Sequence, residues 1–218
     1  MALDSNLTVQ SLFTPARVGT AKLGAPDVDG QQQIEGAFGE AKFVIANRKT
    51  ICEDFANCAS GPESILKFTR KYGPLDVDAK PGQFFRFTQG EWKVRQRIFR
   101  NLWRSMMPGI NYSAADIVAG EATLPSDRGL SLALSRKGVG IRLDKLWPLI
   151  ELCFFSLPLE RLRFCPAESC PKPYFVATHL RQNYCGLKQC IRWGELKFKR
   201  DYWNRNKERF SAARKRKG

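Results

Sequence analysis

Apolar residues recur at helical spacing in two stretches of the chain. In SGPESILKFTRKYGPL (60–75), Ile65, Phe68 and Tyr72 share one face. Ser60 or Gly61 precedes Pro62, which suits a first turn, and Glu63 suits the positive end of the helix dipole. Gly73 offers a left-handed stop and Pro74 bars continuation, so a helix is predicted between these signals. In TQGEWKVRQRIFRNLWRSMMPG (88–109), Thr88 and Glu91 have capping-box spacing, and Pro108-Gly109 ends the run. Trp92, Ile98, Phe99, Leu102 and Met106 form its predicted buried face. Lys93, Arg95, Arg97, Arg100 and Arg104 fill the other face and read as solvated, with a phosphate backbone as the alternative.

Strand patterns are fewer. AKFVIA (41–46) reads as a short strand, and LSLALSRKGVGIRLDKLW (130–147) as a hairpin. Leu130, Leu132 and Leu134 lie on one side, Lys137-Gly138 marks the turn, and Val139, Ile141 and Leu143 return. Asp144 then caps a helix running through 157. Its apolar run, LWPLIELCFFSL (146–157), falls short of the roughly 18 residues of a membrane span and contains Pro148 and Glu151, so it reads as a buried helix. Residues 1–40 show no firm periodicity and are expected to be irregular or loosely docked.

Composition then separates the last quarter of the chain from the rest. Of 218 residues, 43% are hydrophobic, enough for a core, and the formal charge is +15. Residues 161–218 hold 16 of the 36 Lys and Arg but 4 of the 21 Asp and Glu, so most of the excess lies there. A basic segment of this density favours a polyanion such as nucleic acid over a merely solvated tail. No basic region followed by an apolar core opens the chain, so no secretory signal and a cytoplasmic location are expected. In a reducing compartment its seven cysteines would stay unbridged.

Four of those cysteines are evenly spaced. CPAESC (165–170) and CGLKQC (185–190) are two C-x4-C knuckles, whereas Cys52, Cys58 and Cys153 lie upstream without such pairing. Thiolates are soft ligands, and a structural zinc takes four of them from two knuckles that the fold brings together. Cys165, Cys170, Cys185 and Cys190 therefore form the predicted site of one structural Zn2+. Buried free cysteines are the competing reading. Tyr174, Phe175 and Val176 are strand formers, and Thr178 to Asn183 are turn material. His179, the lone histidine, reads as an exposed loop residue.

A long helical pattern, LKQCIRWGELKFKRDYWNRNKERF, starts inside the second knuckle, as in a treble-clef finger. Leu187, Ile191, Phe198 and Tyr202 form a stripe expected to pack on the finger's strands or the larger domain. Trp193, Lys197, Arg200, Asn204 and Lys207 occupy the other side, flanked by Arg192, Lys199 and Arg205. Together these eight are the candidate nucleic-acid-binding residues: Lys and Arg pair with phosphate, Arg and Asn read base edges, and Trp193 either stacks or packs on the domain. Gly194 weakens the helix and permits a close approach. The basic tail Arg214–Lys217 would add salt-sensitive affinity.

At these residues the chain resembles the CGNR zinc-finger family. RLRFCPAESC, PYFV, RQNYC and GLKQC, followed by a basic helix, match the family's finger over 161–205, and all four cysteines carry over. After Cys190, however, the Gly-Asn-Arg that names the family is replaced by Ile191, Arg192 and Trp193. The resemblance implies an N-terminal helical domain of the type called ABATE and a DNA-binding transcriptional regulator.

The expected architecture is α+β. A mainly helical N-terminal domain (1–160) with a short β-hairpin precedes a small treble-clef-like finger with a long basic helix (161–218). The expected function is zinc-dependent nucleic-acid binding, with duplex DNA as the partner, no membrane, and an N-terminal domain that senses a signal or forms a homodimer. A zinc-stabilised module for protein or RNA is the alternative. No catalysis is expected: the chain has no phosphate-binding glycine loop or nucleophile elbow, its histidine lies in the finger, and Glu53, Asp54 and Glu91 read as ordinary surface acids.

Overall fold

The computed structural model describes residues 12–14, 18–38, 44–45, 47–76, 82–108, 130–135, 138–143 and 145–215. It is an α+β fold. Strands β1 (Leu12–Thr14), β2 (Val18–Leu23), β3 (Gln33–Phe38) and β4 (Val44–Ile45) lead into helices α1 (Arg48–Asn57) and α2 (Pro62–Tyr72). Strand β5 (Phe84–Thr88) runs directly into α3 (Gln89–Ser105). A hairpin, β6 (Leu130–Ser135) and β7 (Gly138–Leu143), precedes α4 (Leu146–Phe155). A 3-10 turn (Leu159–Arg161) then opens onto β8 (Leu162–Phe164), β9 (Tyr174–Val176) and the long α5 (Lys188–Lys215). No helix among the described residues is long and apolar enough to cross a membrane.

The strands form three sheets, ordered β4-β1-β7-β6, β2-β3-β5 and β8-β9. The sheet content exceeds the hairpin and the two short strands expected; the strand read at 41–46 is present at Val44–Ile45, and its other residues lie outside the described ones. Three of the strands lie in residues 1–40, which the sequence reading left irregular. The reason is visible in β3: its inward positions are Ile34, Gly36 and Phe38, so a glycine interrupts the apolar alternation. A Cβ at Gly36 would meet the Thr20 carbonyl oxygen and lie 2.7 Å from the Phe85 ring, so this close sheet needs the residue that hides it. The predicted hairpin forms, with Leu130, Leu132 and Leu134 opposite Leu143, Ile141 and Val139. Gly138 pairs with Ser135 rather than turning. Asp144, the predicted cap, lies outside the described residues, and Lys145 holds the N-cap position.

Helices α2 and α3 carry the punctuation read from the sequence. Pro62 opens α2, and Gly73 closes it at φ 104°. Thr88 and Glu91 make the reciprocal capping box of α3. The buried face of α3 differs from expectation: Trp92, Gln96, Phe99 and Trp103 are inside, while Ile98 is half-buried. Gln96 is inside because its amide serves α1, donating to the carbonyls of Phe55 (2.9 Å) and Cys58 (2.7 Å). Arg100 donates to Ala56 (2.7 Å) and Cys58 (3.1 Å). The carbonyls that α1 leaves orphaned at its C-terminus are thus satisfied by α3, with a cation at the negative end of the dipole.

Helix α1 itself was missed. RKTICEDFAN has no proline or glycine punctuation, and its N-cap, Asn47, accepts from the Thr50 amide at 3.1 Å. It buries Ile51, Cys52, Phe55 and Ala56, and Phe55 sits at the centre of the core. The rings of Phe68, Trp92, Phe99 and Trp147 surround Phe55 at centroid distances of 5.2–5.8 Å. Cys52 and Cys153 are buried free thiols of this core, and burial pushes both well above the usual thiol range.

Glu151 of α4 is half-buried beside Arg95, Asp76 and Trp147. Burial raises its carboxyl from 4.5 to about 7; Arg95 and the Trp147 indole oppose the rise and Asp76 adds to it. The folded protein therefore keeps a proton that the unfolded chain releases, so stability present below the ordinary carboxylate range is lost as pH rises toward 7. Thermal midpoints recorded across that window should fall with pH. The Glu151→Gln variant should show a flatter profile; an unchanged slope would contradict the assignment.

Candidate metal centre and basic helix

The cysteines are positioned by a three-residue hairpin and two tight turns. Strand β8 pairs antiparallel with β9, Leu162 opposite Val176 and Phe164 opposite Tyr174, and the first knuckle is the connection between them. The Cys165 amide donates to the Pro173 carbonyl at 2.7 Å, and that of Cys170 to Ala167 at 3.0 Å, folding the knuckle back on itself. In the second knuckle Gly186 follows Cys185 at φ 87°, a conformation side chains disfavour. Helix α5 begins two residues later and places Cys190 in its first turn.

The four sulfur atoms converge. All lie within 4.8 Å of one another, and Cys170 and Cys185 are 3.4 Å apart. A tetrahedral site with Zn–S bonds of about 2.3 Å has sulfur–sulfur edges of about 3.8 Å, so the cluster matches that donor set. Cys165 and Cys190 are buried, and Cys170 and Cys185 are half-buried. Burial opposes ionisation of Cys165, but hydrogen bonds from the Ala167 and Cys185 amides and from the neighbouring thiols hold it below the usual thiol range. Burial pushes Cys190 up to about 11; its hydrogen bond with Cys170 opposes the rise, and Cys185 and Cys165 add to it. Cys165 is thus favoured as a thiolate while Cys170 and Cys190 resist ionisation, the balance a dication would tip. His179 lies exposed in the following turn, outside the cluster.

The cluster has its own small core: Cys165, Ala167, Phe175, Ala177 and Cys190, bordered by Tyr184, Leu187 and Trp193. The other face of the hairpin belongs to the main core through Leu162, Tyr174 and Val176. The free edge of β9 is held by α1. The Asn57 side chain donates to the Tyr174 carbonyl (2.7 Å) and accepts from the Tyr174 amide (3.0 Å), and Glu53 accepts from the Val176 amide (2.8 Å). Asn57 and Glu53, four residues apart on one helical face, thus replace a neighbouring strand. Burial raises the Glu53 carboxyl, with the Val176 amide opposing. The three acids read as surface residues therefore have duties: Glu53 on β9, Asp54 with Lys71 and Tyr72 at 2.7 Å each, and Glu91 in the capping box. Sequence could not signal Glu53 or Asn57, because their partners are backbone groups more than a hundred residues away.

Helix α5 departs from expectation on one face. Leu187 packs on the cysteine core, but Ile191, Phe198 and Tyr202 are exposed at 45%, 65% and 48%. Leu196 and Trp203 are likewise exposed at 52% and 57%. Contact with the finger ends near Gly194, where a Cβ would lie 2.5 Å from the Tyr184 ring. That ring is the close approach the glycine permits. From Glu195 to Lys207 every residue but Asn206 is exposed.

The other face matches its pattern. Lys197, Arg200, Asn204 and Lys207 are exposed on one side, with Arg192, Lys199 and Arg205 exposed beside them. Trp193 is half-buried, edge-on to Tyr184 at 6.2 Å, and carries the Lys197 ammonium 5.1 Å above its ring. It positions a lysine as part of the finger's packing. Among the basic residues of α3, Arg95 pairs with Asp76 at 2.8 Å, Arg100 binds α1, and Arg104 lies 5.3 Å over Phe164. These three have structural roles, while Lys93 and Arg97 of α3 are exposed; α5 is the longer of the two exposed basic helices.

No family model matches the chain, and neither curated proteins nor solved structures give a match.

Replacing Cys185 by Ser should abolish retention of one metal ion per chain, measured by elemental analysis of purified protein. The Asn57→Ala variant should keep the metal but remove the two hydrogen bonds Asn57 makes with the Tyr174 amide and carbonyl. At about 0.5–1.5 kcal/mol for each bond lost, it should lower stability and speed amide exchange at Tyr174. Unchanged exchange would remove Asn57 from the junction.

Proposed function

We propose that this chain is a zinc-stabilised nucleic-acid-binding protein, acting as a DNA-binding transcriptional regulator in the cytoplasm. The observation that carries the reading is the basic face of α5, exposed from Lys197 to Lys207 and anchored at one end by a four-cysteine centre. Four converging sulfurs favour zinc over harder cations. The four-cysteine cluster is consistent with a CGNR-type zinc finger. A structural metal gives a core of five buried residues the free energy it lacks and fixes the direction of α5.

The chemistry follows from the side chains. Helix α5 has 28 residues and so extends about 42 Å, and a B-DNA major groove admits a helix. Lys197 and Lys207 would contact phosphate, Arg200 and Asn204 would reach base edges, and Arg192, Lys199 and Arg205 would hold the flanking backbone. Trp193 would act through Lys197 rather than by stacking on a base. The N-terminal region would carry the signal or a homodimer contact. A second reading, a surface for RNA or protein, is favoured by the exposed Leu196, Phe198 and Trp203, which duplex phosphate contacts do not use.

Fluorescence anisotropy with duplex DNA at two salt concentrations tests both readings. The triple variant Lys197→Ala, Arg200→Ala, Arg205→Ala should weaken binding and make the log–log salt dependence shallower by about 1.8, the value for the two lost phosphate contacts of Lys197 and Arg205. Loss of metal through Cys185→Ser should weaken it as well. If the triple variant binds duplex normally, the DNA reading fails. If single-stranded RNA outcompetes duplex, the second reading replaces it.

A further inference from the structure

A cleft of about 350 Å3 opens between the last turn of α1 and one face of α2, with Lys172 of the finger in its wall. Its size falls in the roughly 300–1,000 Å3 range of small-molecule sites. Ser64, Lys67 and Lys71 lie at i, i+3 and i+7 of α2, so a single face of that helix supplies one side. Lys67, Lys71 and Lys172 are exposed.

Charge in the cleft does not balance. Three ammonium groups line it, against the one carboxylate of Asp54. Asp54 is already engaged: its Oδ2 accepts from Lys71 Nζ and from the Tyr72 hydroxyl, at 2.7 Å each. Burial opposes its ionisation, but those hydrogen bonds and the charges of Lys71 and Lys172 hold it below the usual carboxylate range. The ionised acid therefore offsets one lysine, which leaves two positive charges in excess. Glu53, the other acid near Lys172, adds no net negative charge: Lys49 lies 3.8 Å from it, and it accepts from the Val176 amide. Lys67 and Lys71 are also a like-charge pair four residues apart, which disfavours the helix unless an anion joins them. An ammonium has three donors and no acceptor. A phosphomonoester brings a charge of about −1.5 to −2 at neutral pH and three acceptor oxygens, which matches the excess.

We propose that this cleft binds a phosphate group, its oxygens accepting from the ammonium groups of Lys67, Lys71 and Lys172. The group comes from a free phosphomonoester or from a nucleic-acid backbone, since the recognising chemistry is the same. The first source is independent of the nucleic-acid reading, and the second rests on it.

In one arm, phenyl phosphate and its neutral control phenol are titrated into the full-length protein. The readout is the assigned amide peaks of Ser64, Lys67 and Lys172 in 1H–15N spectra. Phenyl phosphate should shift them saturably, and phenol should not. Lys67→Glu and Lys172→Glu should each weaken phenyl phosphate by about tenfold or more. Arg181→Glu makes the same charge change at an exposed turn residue outside the cleft and should leave the affinity unchanged. In the other arm, duplex DNA is titrated against the double variant Lys67→Ala, Lys172→Ala. Weaker duplex binding with a shallower salt dependence, without phenyl phosphate binding, assigns the group to a nucleic-acid backbone. Bound phenyl phosphate with unchanged duplex binding assigns it to a free phosphomonoester, and a response in both arms assigns it to either source. If the α5 triple variant binds duplex normally, the nucleic-acid reading fails and the phenyl phosphate arm decides alone. Cleft peaks unmoved by millimolar phenyl phosphate, together with unchanged duplex binding in the double variant, would overturn the proposal. An equal loss in Arg181→Glu would overturn it too, because net charge alone would then explain the effect.

Discussion

Strand β9 joins everything in this molecule. It has three residues, all buried. Tyr174 and Val176 enter the main aromatic core, while Phe175, on the opposite face, enters the cysteine core. One edge pairs with β8, and the other is held by Asn57 and Glu53 of α1. A strand this short cannot persist alone, because its backbone groups need partners on both edges once it is buried. Here a helix supplies the second edge through side chains. The direction of α5 follows from that docking, since the second knuckle that starts it is fixed to the same hairpin.

The same residue types serve opposite ends in two helices. In α3, Arg95, Arg100 and Arg104 lie against carboxylate, carbonyl and aromatic partners within the fold. In α5, arginines and lysines of similar spacing extend into solvent. Periodicity cannot distinguish these cases, because both present a basic face opposite an apolar one. What distinguishes them is whether another element lies within reach. Helix α3 packs against α1, α2 and strand β8. Helix α5 leaves its last close neighbour, the Tyr184 ring, at Gly194.

This separation shapes the functional reading. What the cysteine cluster and its small core hold is an exposed, basic, partly aromatic helix. Between α1 and α2, three lysines around the engaged carboxylate of Asp54 mark a second region where the fold leaves positive charge unbalanced. Elsewhere among the described residues, capping side chains satisfy helix ends with care, as Gln96 and Arg100 do for α1.

The sequence by itself determined the elements whose signals are local. Pro62, Gly73 and the Thr88–Glu91 pair set the limits of α2 and α3, because caps act within one turn. The leucine alternation set the β6–β7 register, and the two equal cysteine spacings set the metal cluster, because knuckle turns are short-range. Only the tertiary structure decided the rest. Gly36 hid strand β3 because its small size answers a neighbour, Phe85, that is far away in the chain. Helix α1 carried no punctuation, and its Glu53 and Asn57 acquired their roles from a strand over a hundred residues later. Whether Ile191, Phe198 and Tyr202 would be covered was equally undecidable, since an amphipathic pattern states which face can be buried but not whether a partner stands there.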